Sequence, residues 1–216
     1  MKVLITSGGT REYIDDVRIL TNVSSGRLGS MIADTFVGAG HEVYYIHSSS
    51  AILPMGSLRC QRIEANSVIQ VQESMRKYVP IVDMVIHAMA VSDYYFEHNS
   101  PIKVAGNDVA ALAEYIMKNA HVSPKIISKI KRWNPATSLV GFKFTVGKTK
   151  EELVKIAKES AIRNGCDIVI ANDKKLMQEA ATHLAYFVKP DGSYEPFYGK
   201  DQIAKGLLRM ASSVLE

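Results

Sequence analysis

Cysteine is scarce in this sequence: two residues in 216, Cys60 and Cys166, without metal-ligand spacing, so neither a disulfide framework nor a zinc site is expected. A reducing cytosol is the simplest compartment. No apolar run approaches the roughly 20 residues that cross a bilayer, which excludes a membrane span. The apolar stretch at the start is too short for a signal peptide and runs directly into Gly8 and Gly9. Charge of one sign is also lacking. A formal net charge of +4 suits an anionic small molecule but gives no ground for nucleic acid without a clustered basic face. Lys125, Lys129, Lys131 and Arg132 do cluster, and are read as a solvated helix face. The six histidines form no HxxxH or HExxH, and no GxSxG supports a hydrolase. Both GxGxxG and GxxxxGK[ST] are missing, so the standard dinucleotide and P-loop signatures fail.

What is present is alternation. Lys2 to Thr6 is a short apolar run feeding a glycine turn, as a buried parallel strand does. Thr10 to Arg27 is polar and reads as an unusually long loop. Leu28, Met31, Ile32, Phe36 and Val37 then recur at helical spacing until Gly38 and Gly40. Strands are expected at 43–46, 58–64, 83–88, 139–144 and 167–171, with helices over 68–79, 109–118, 124–133, 150–164 and 202–215. Leu184 to Val188 and Ser193 to Phe197 bracket Pro190-Asp191-Gly192 as a hairpin. The pattern is that of an α/β chain with a Rossmann-like, doubly wound, mainly parallel sheet, an edge hairpin, and a flexible flap over about 95–108. One domain, 1–216, accounts for it.

Ligands of open α/β sheets sit beyond the carboxyl ends of the strands. Four such ends are polar here. Gly8 and Gly9 would let backbone N–H groups approach a phosphate, with Ser7 and Thr10 adding hydroxyls; a tight turn explains the same glycines equally well. Asn22 to Gly29 opens the first helix, with Ser24 or Ser25 placed as an N-cap or an anion site, two compatible readings. Asp93 is placed to hold Mg²⁺ against a triphosphate, and Lys103 to swing over the phosphates, although an ordinary loop pair reads the same way. Asn172 and Asp173 follow the strand over 167–171, and Phe142 lies within the strand before it. Composition alone would put Phe142 and Trp133 in the core.

Taken in order, these segments resemble a known family. Val3 to Asp15, Val17-Arg18, Thr21-Asn22 and Ser24-Ser25-Gly26 are similar to the amino-terminal signature of phosphopantothenate–cysteine ligases. The similarity continues through Ala90 to Tyr94, Val140 to Lys143 and Ile170 to Asp173, covering nearly the whole chain. The resemblance implies a cytoplasmic enzyme of coenzyme A synthesis. It would join 4′-phosphopantothenate to L-cysteine through an acyl-nucleotide, with CTP (or ATP) and Mg²⁺ and release of pyrophosphate. The absence of a fused flavin-dependent decarboxylase domain implies a free-standing form, and family members act as homodimers.

Residue by residue, the resemblance places Asn22 on the substrate carboxylate and acyl-nucleotide, with Ser25 and Gly26 in the same substrate-binding segment. Ser24 falls on phosphate, and Asp93 where an aspartate supports the cation. Lys103 matches the catalytic flap lysine. Gly8, Gly9, Thr10, Ala90, Phe142 and Asn172 fall near the nucleotide. The chain departs from the pattern at Asp16, where a proline often stands, and at Ala105 and Gly106, where other members carry further lysines. An NAD(P)-dependent oxidoreductase on the same sheet is the alternative. It would need a glycine fingerprint and an acid ending the second strand, where His47-Ser48-Ser49-Ser50 stands. A non-catalytic nucleotide-binding module is the third reading, and it turns on whether Asn22 and Lys103 share a pocket.

Overall fold

The computed structural model describes residues 1–56, 58–97 and 108–213. The chain runs β1 (Lys2–Ser7), β2 (Arg11–Tyr13), β3 (Ile19–Thr21), α1 (Arg27–Gly38), β4 (Glu42–His47), β5 (Cys60–Glu64), α2 (Val68–Tyr78), β6 (Met84–His87) and β7 (Tyr94–Phe96). It continues with α3 (Val109–Asn119), β8 (Ala120–Val122), α4 (Ile127–Trp133), β9 (Ser138–Thr145), α5 (Lys150–Asn164), β10 (Ile168–Asp173) and α6 (Lys174–Glu179). β11 (Leu184–Val188), β12 (Tyr194–Tyr198) and α7 (Lys200–Ser213) close it.

Eight strands form one sheet in the order β12-β11-β10-β9-β6-β1-β4-β5. Its six parallel members, counted along the chain, lie 3-2-1-4-5-6, the doubly wound order, and β11 and β12 add the expected antiparallel hairpin at the edge. The order reverses between β1 and β6, so the loops leaving these two strands diverge and leave a crevice at their carboxyl ends.

Alternation along the buried strands divides the core between two faces. Val3, Ile5, Phe36 and Leu207 pack on the face covered by α1 and α7. Leu4, Ile46, Met75 and Leu153 pack on the face covered by α2, α4 and α5. Local signals hold the helices in place. Ser67 with Gln70 and Thr149 with Glu152 form capping boxes for α2 and α5. Gly165, at φ 65°, ends α5, while the Cys166 N–H reaches the Ala161 carbonyl as in a Schellman turn.

Four expectations are corrected. The polar stretch after β1 is not a loop throughout, since β2 and β3 form a hairpin inside it. Asp15 makes that turn, accepting from the N–H groups of Val17 (2.9 Å) and Arg18 (2.8 Å). Neither Ser24 nor Ser25 caps α1; Gly26 does, at φ 71°, without a side-chain hydrogen bond. β10 runs on through Asn172 and Asp173 because both stay in register with β9, opposite Phe144 and Thr145. Tyr95 and Phe96, placed in the flap, belong to β7 and pair with His121 and Ala120 of β8. Asp108 caps α3, and residues 98–107 of that flap lie outside the described residues.

Candidate active site

The floor of the crevice is built by close packing. Ser7 Oγ donates to the Gly26 carbonyl at 3.0 Å, drawing the start of α1 down onto the end of β1. A Cβ at Gly29 would stand 2.3 Å from that same oxygen, so only glycine lets the helix sit so low. Beside it the two diverging loops are sewn together. The Ala90 N–H donates to Gly8 O (2.8 Å), the Thr10 N–H to Ala90 O (3.1 Å), and the Ser92 N–H to Thr10 Oγ1 (2.9 Å).

Above this floor opens a cleft of about 640 Å³. Of the residues singled out from the sequence, it brings together Asn22, Ser24, Ser25, Gly26, Ala90, Phe142 and Asn172. Asn22 Nδ2 donates to the Val91 carbonyl at 3.1 Å, tying the loop ahead of α1 to the segment after β6. Asn172 Nδ2 lies 3.3 Å from Met177 Sδ, with Met177 itself in the lining. Phe142 is half-buried, packed against the core and lining the cleft. No aspartate or glutamate stands among the lining residues described, while Arg27 and Lys200 do. The cleft is therefore a place where negative charge is welcome.

His183 and Lys200 line the cleft without having been anticipated. His183 immediately precedes β11 and Lys200 begins α7, and the Gly199 N–H on the His183 carbonyl (3.1 Å) clamps the two segments together. Burial, then the Lys200 charge, hold the His183 imidazole below its usual pKa. No motif surrounds either residue. The sequence offered only Gly199 ahead of a helix whose start was placed two residues too late.

Other candidates lie elsewhere. Gly8, Gly9 and Thr10 are not in the lining; they sit behind it. Gly8 has φ 89°, and a Cβ on it would come 2.4 Å from Ser48 Oγ. One on Gly9 would come 2.6 Å from the Asn22 carbonyl oxygen. These glycines admit protein to close contact, as the tight-turn reading of the sequence requires. Asp173 is also structural: its buried carboxylate accepts from Thr145 Oγ1 (2.7 Å) and the N–H groups of Lys148 (3.0 Å) and Lys175 (2.8 Å). Burial pushes its pKa up, but those hydrogen bonds prevail and bring it down to about 2.

Asp93 lies in a separate hollow of about 80 Å³, shared with His87, Ser123 and Lys125. Its carboxylate is 3.1 Å from Lys125 Nζ, both side chains being largely exposed. Among the described residues no three His, Cys, Asp or Glu side chains group to hold a metal ion. Lys103 lies outside the described residues. A further groove of about 520 Å³, at the opposite end of the sheet between the hairpin and α7, contains none of the candidates.

Residues 1–214 match the family described as the DNA/pantothenate metabolism flavoprotein C-terminal domain. The chain belongs to this family. It is 35% identical over 180 residues to the coenzyme A biosynthesis bifunctional protein CoaBC of Thermococcus kodakarensis, a match covering 81% of this chain and 41% of that one. The CoaBC of Methanocaldococcus jannaschii is 29% identical over 175 residues, with 80% and 40% covered. The chain thus spans about two fifths of the length of these two curated relatives. Among solved structures, the DNA/pantothenate metabolism flavoprotein from Streptococcus pneumoniae superposes with a TM-score of 0.85 at 34% identity, covering 99% of both chains. Both the fold and the family expected from the sequence are thereby established, and the crevice belongs to a DNA/pantothenate metabolism flavoprotein C-terminal domain.

Proposed function

We propose that this domain is a phosphopantothenate–cysteine ligase. The carboxylate of 4′-phosphopantothenate attacks the α-phosphate of a nucleoside triphosphate and pyrophosphate leaves. The amine of L-cysteine then displaces the nucleotide from the acyl-nucleotide. The observation that carries this reading is the cleft at the sheet's reversal point, free of carboxylates among its described lining residues and bearing Asn22, Ser24 and two cations. Two strongly anionic reactants, 4′-phosphopantothenate and the nucleoside triphosphate, and a transition state that gathers charge on phosphorus, need such a lining. Asn22 is placed to hold the substrate carboxylate and the acyl-nucleotide, Ser24 to contact phosphate, and Ser25 and Gly26 to shape the substrate end. Ala90, Phe142 and Asn172 form the nucleotide side, and Gly8, Gly9 and Thr10 support it from behind. Lys103 is carried as the flap cation.

CTP is the preferred nucleotide in this reading, with ATP second. Mg²⁺ would neutralise charge on the triphosphate. Asp93 alone is a thin donor set, and fits an ion that arrives with most of its ligands on the nucleotide. A homodimer belongs to the same reading. It is supported by α3, which has no buried residue and leaves Val109 83% and Met117 85% exposed. A cytoplasmic setting suits the two free, buried cysteines, and no described helix is long and apolar enough to cross a membrane. The deciding experiment measures pyrophosphate from protein given 4′-phosphopantothenate, Mg²⁺ and either CTP or ATP, with and without cysteine. Release that depends on phosphopantothenate supports carboxylate activation, and the better nucleotide names the cosubstrate. A folded protein that releases none removes the reading.

A further inference from the structure

In β2 the usual alternation is inverted. Tyr13 is 46% exposed, while the acid beside it, Glu12, is 2% exposed. No lysine or arginine among the described residues pairs with Glu12, and burial raises its pKa against two hydrogen bonds that pull it down. A buried carboxylate without a counter-ion persists only where such donors hold it. The Val68 N–H, at the first residue of α2, donates to Glu12 Oε1 at 2.8 Å. The Thr10 hydroxyl is the second donor. The first contact adds to the Ser67–Gln70 capping box of α2. The second leads toward the cleft.

Thr10 is a hub. Its Oγ1 accepts the Ser92 N–H (2.9 Å), and its carbonyl accepts the Thr21 hydroxyl (2.6 Å). Asn22 follows Thr21, and its side-chain amide rests on the carbonyl of Val91, which precedes Ser92 (3.1 Å). Thr10 thus grips both segments that meet at Asn22. A carboxylate only accepts hydrogen bonds, so Glu12 obliges the Thr10 hydroxyl to point its proton inward and turn its lone pairs to Ser92. The Arg11 N–H on the Asn66 carbonyl (2.7 Å) presses β2 against the start of α2 and keeps Glu12 among its donors. A glutamine of the same shape would still accept from Val68 through its oxygen. It would bring an amide donor, not an acceptor, toward Thr10.

We propose that Glu12 is a positioning residue. By orienting the Thr10 hydroxyl it holds Ser92 and the Asn22 loop in register for the reaction, from behind the cleft lining and without touching substrate. The reaction it serves is that of the ligase reading. The test compares wild type, Glu12→Gln, Thr10→Val, the double variant, and Ser67→Ala, which weakens only the cap of α2. On each are measured kcat and KM for pyrophosphate release, the thermal midpoint, and amide hydrogen exchange at Ser92. Glu12→Gln should lower kcat about 10-fold, within the range for a slightly misplaced group, and leave KM within about twofold. Thr10→Val should do the same. The double variant should lose no more than the worse single one, because both break one chain. Ser67→Ala should lower the thermal midpoint and leave kcat unchanged. The proposal is overturned if Glu12→Gln turns over as wild type does, or if the two single losses multiply in the double variant. It is equally overturned if kcat falls in step with the thermal midpoint across all variants, Ser67→Ala included. Should Glu12→Gln fail to fold, Thr10→Val decides alone: a fall in kcat at constant KM supports the assignment, and wild-type kcat overturns it. Should wild type release no pyrophosphate with either nucleotide, the ligase reading fails and the Ser92 amide decides. Exchange several-fold faster in Glu12→Gln than in Ser67→Ala then sustains the positioning role, and equal exchange overturns it.

Discussion

Two polar regions at the carboxyl end of the same sheet are built on opposite principles. The cleft over β1, β9 and β10 has its acids removed or turned away: Asp173, one residue from Asn172, spends its carboxylate on Thr145 and backbone N–H groups. Its floor is locked by glycines that tolerate no side chain. The hollow around Asp93 keeps its acid in the open, with the Asp93 and Lys125 side chains 75% and 73% exposed. Such an exposed pair contributes little to the fold and exchanges partners readily. The first region is suited to gripping an anionic substrate in one pose, the second to taking up a cation or phosphate that comes and goes.

Placing an acid in the cleft is the strongest way to break that contrast. Asn22→Asp keeps the shape but removes the donor to the Val91 carbonyl and, in the proposed ligase reading, sets a negative charge beside the reacting carboxylate. Pyrophosphate release should fall about 10²- to 10³-fold, the usual cost of losing one donor to a developing anion, with the thermal midpoint almost unmoved. Wild-type turnover by this variant would remove Asn22 from the mechanism.

The floor can be attacked next. Gly9→Val must push a Cβ against the Asn22 carbonyl oxygen, 2.6 Å away, so a loss of about 2–3 kcal/mol in chemical denaturation is expected. Ligand binding should weaken with it, because the displaced atom belongs to the cleft's own loop. If stability holds while binding falls, Gly9 touches ligand after all. A slightly smaller loss, about 1–3 kcal/mol at neutral pH, is expected for Asp173→Asn, whose carboxylate collects several N–H and O–H donors. Its folded pKa of about 2 lies below the ordinary 3.8. The unfolded chain therefore takes up the proton first on acidification. Asp173's contribution is complete above about pH 4 and lost as pH falls through 2. In Asp173→Asn that part of the acid-induced destabilisation should be missing, which denaturation curves between pH 2 and 5 would show.

These contrasts also explain what could be read in advance. The parallel strands were legible because burial on both faces leaves continuous apolar runs such as Val3 to Ile5 and Val85 to Ile86. β2, β3 and α6 were not, since three to six residues are too few to display a period. Asn22, Ser24, Phe142 and Asn172 could be gathered because strand ends and family segments pointed the same way. Gly8 and Gly9 could not be assigned from the sequence, because a glycine admitting a phosphate and one admitting a neighbouring protein atom look the same there. His183 and Lys200 flank the antiparallel hairpin, just before β11 and at the start of α7, where the rule about carboxyl ends does not reach: β11 brings its amino end to the cleft.

The hollow supplies the smallest effect on the fold and the sharpest test of the division. Asp93→Asn removes an ion pair whose partners are both mostly solvent-exposed, so stability should change by less than about 0.5 kcal/mol. If Asp93 nonetheless supports the cation that accompanies the triphosphate, the Mg²⁺ concentration giving half-maximal pyrophosphate release should rise several-fold, with the affinity for 4′-phosphopantothenate unchanged. An unchanged Mg²⁺ dependence would make the hollow an ordinary surface pair and leave the cation held by the nucleotide alone. A parallel loss of phosphopantothenate binding would instead join the two regions into one site, with Asp93 acting across the Val91 segment on which Asn22 rests.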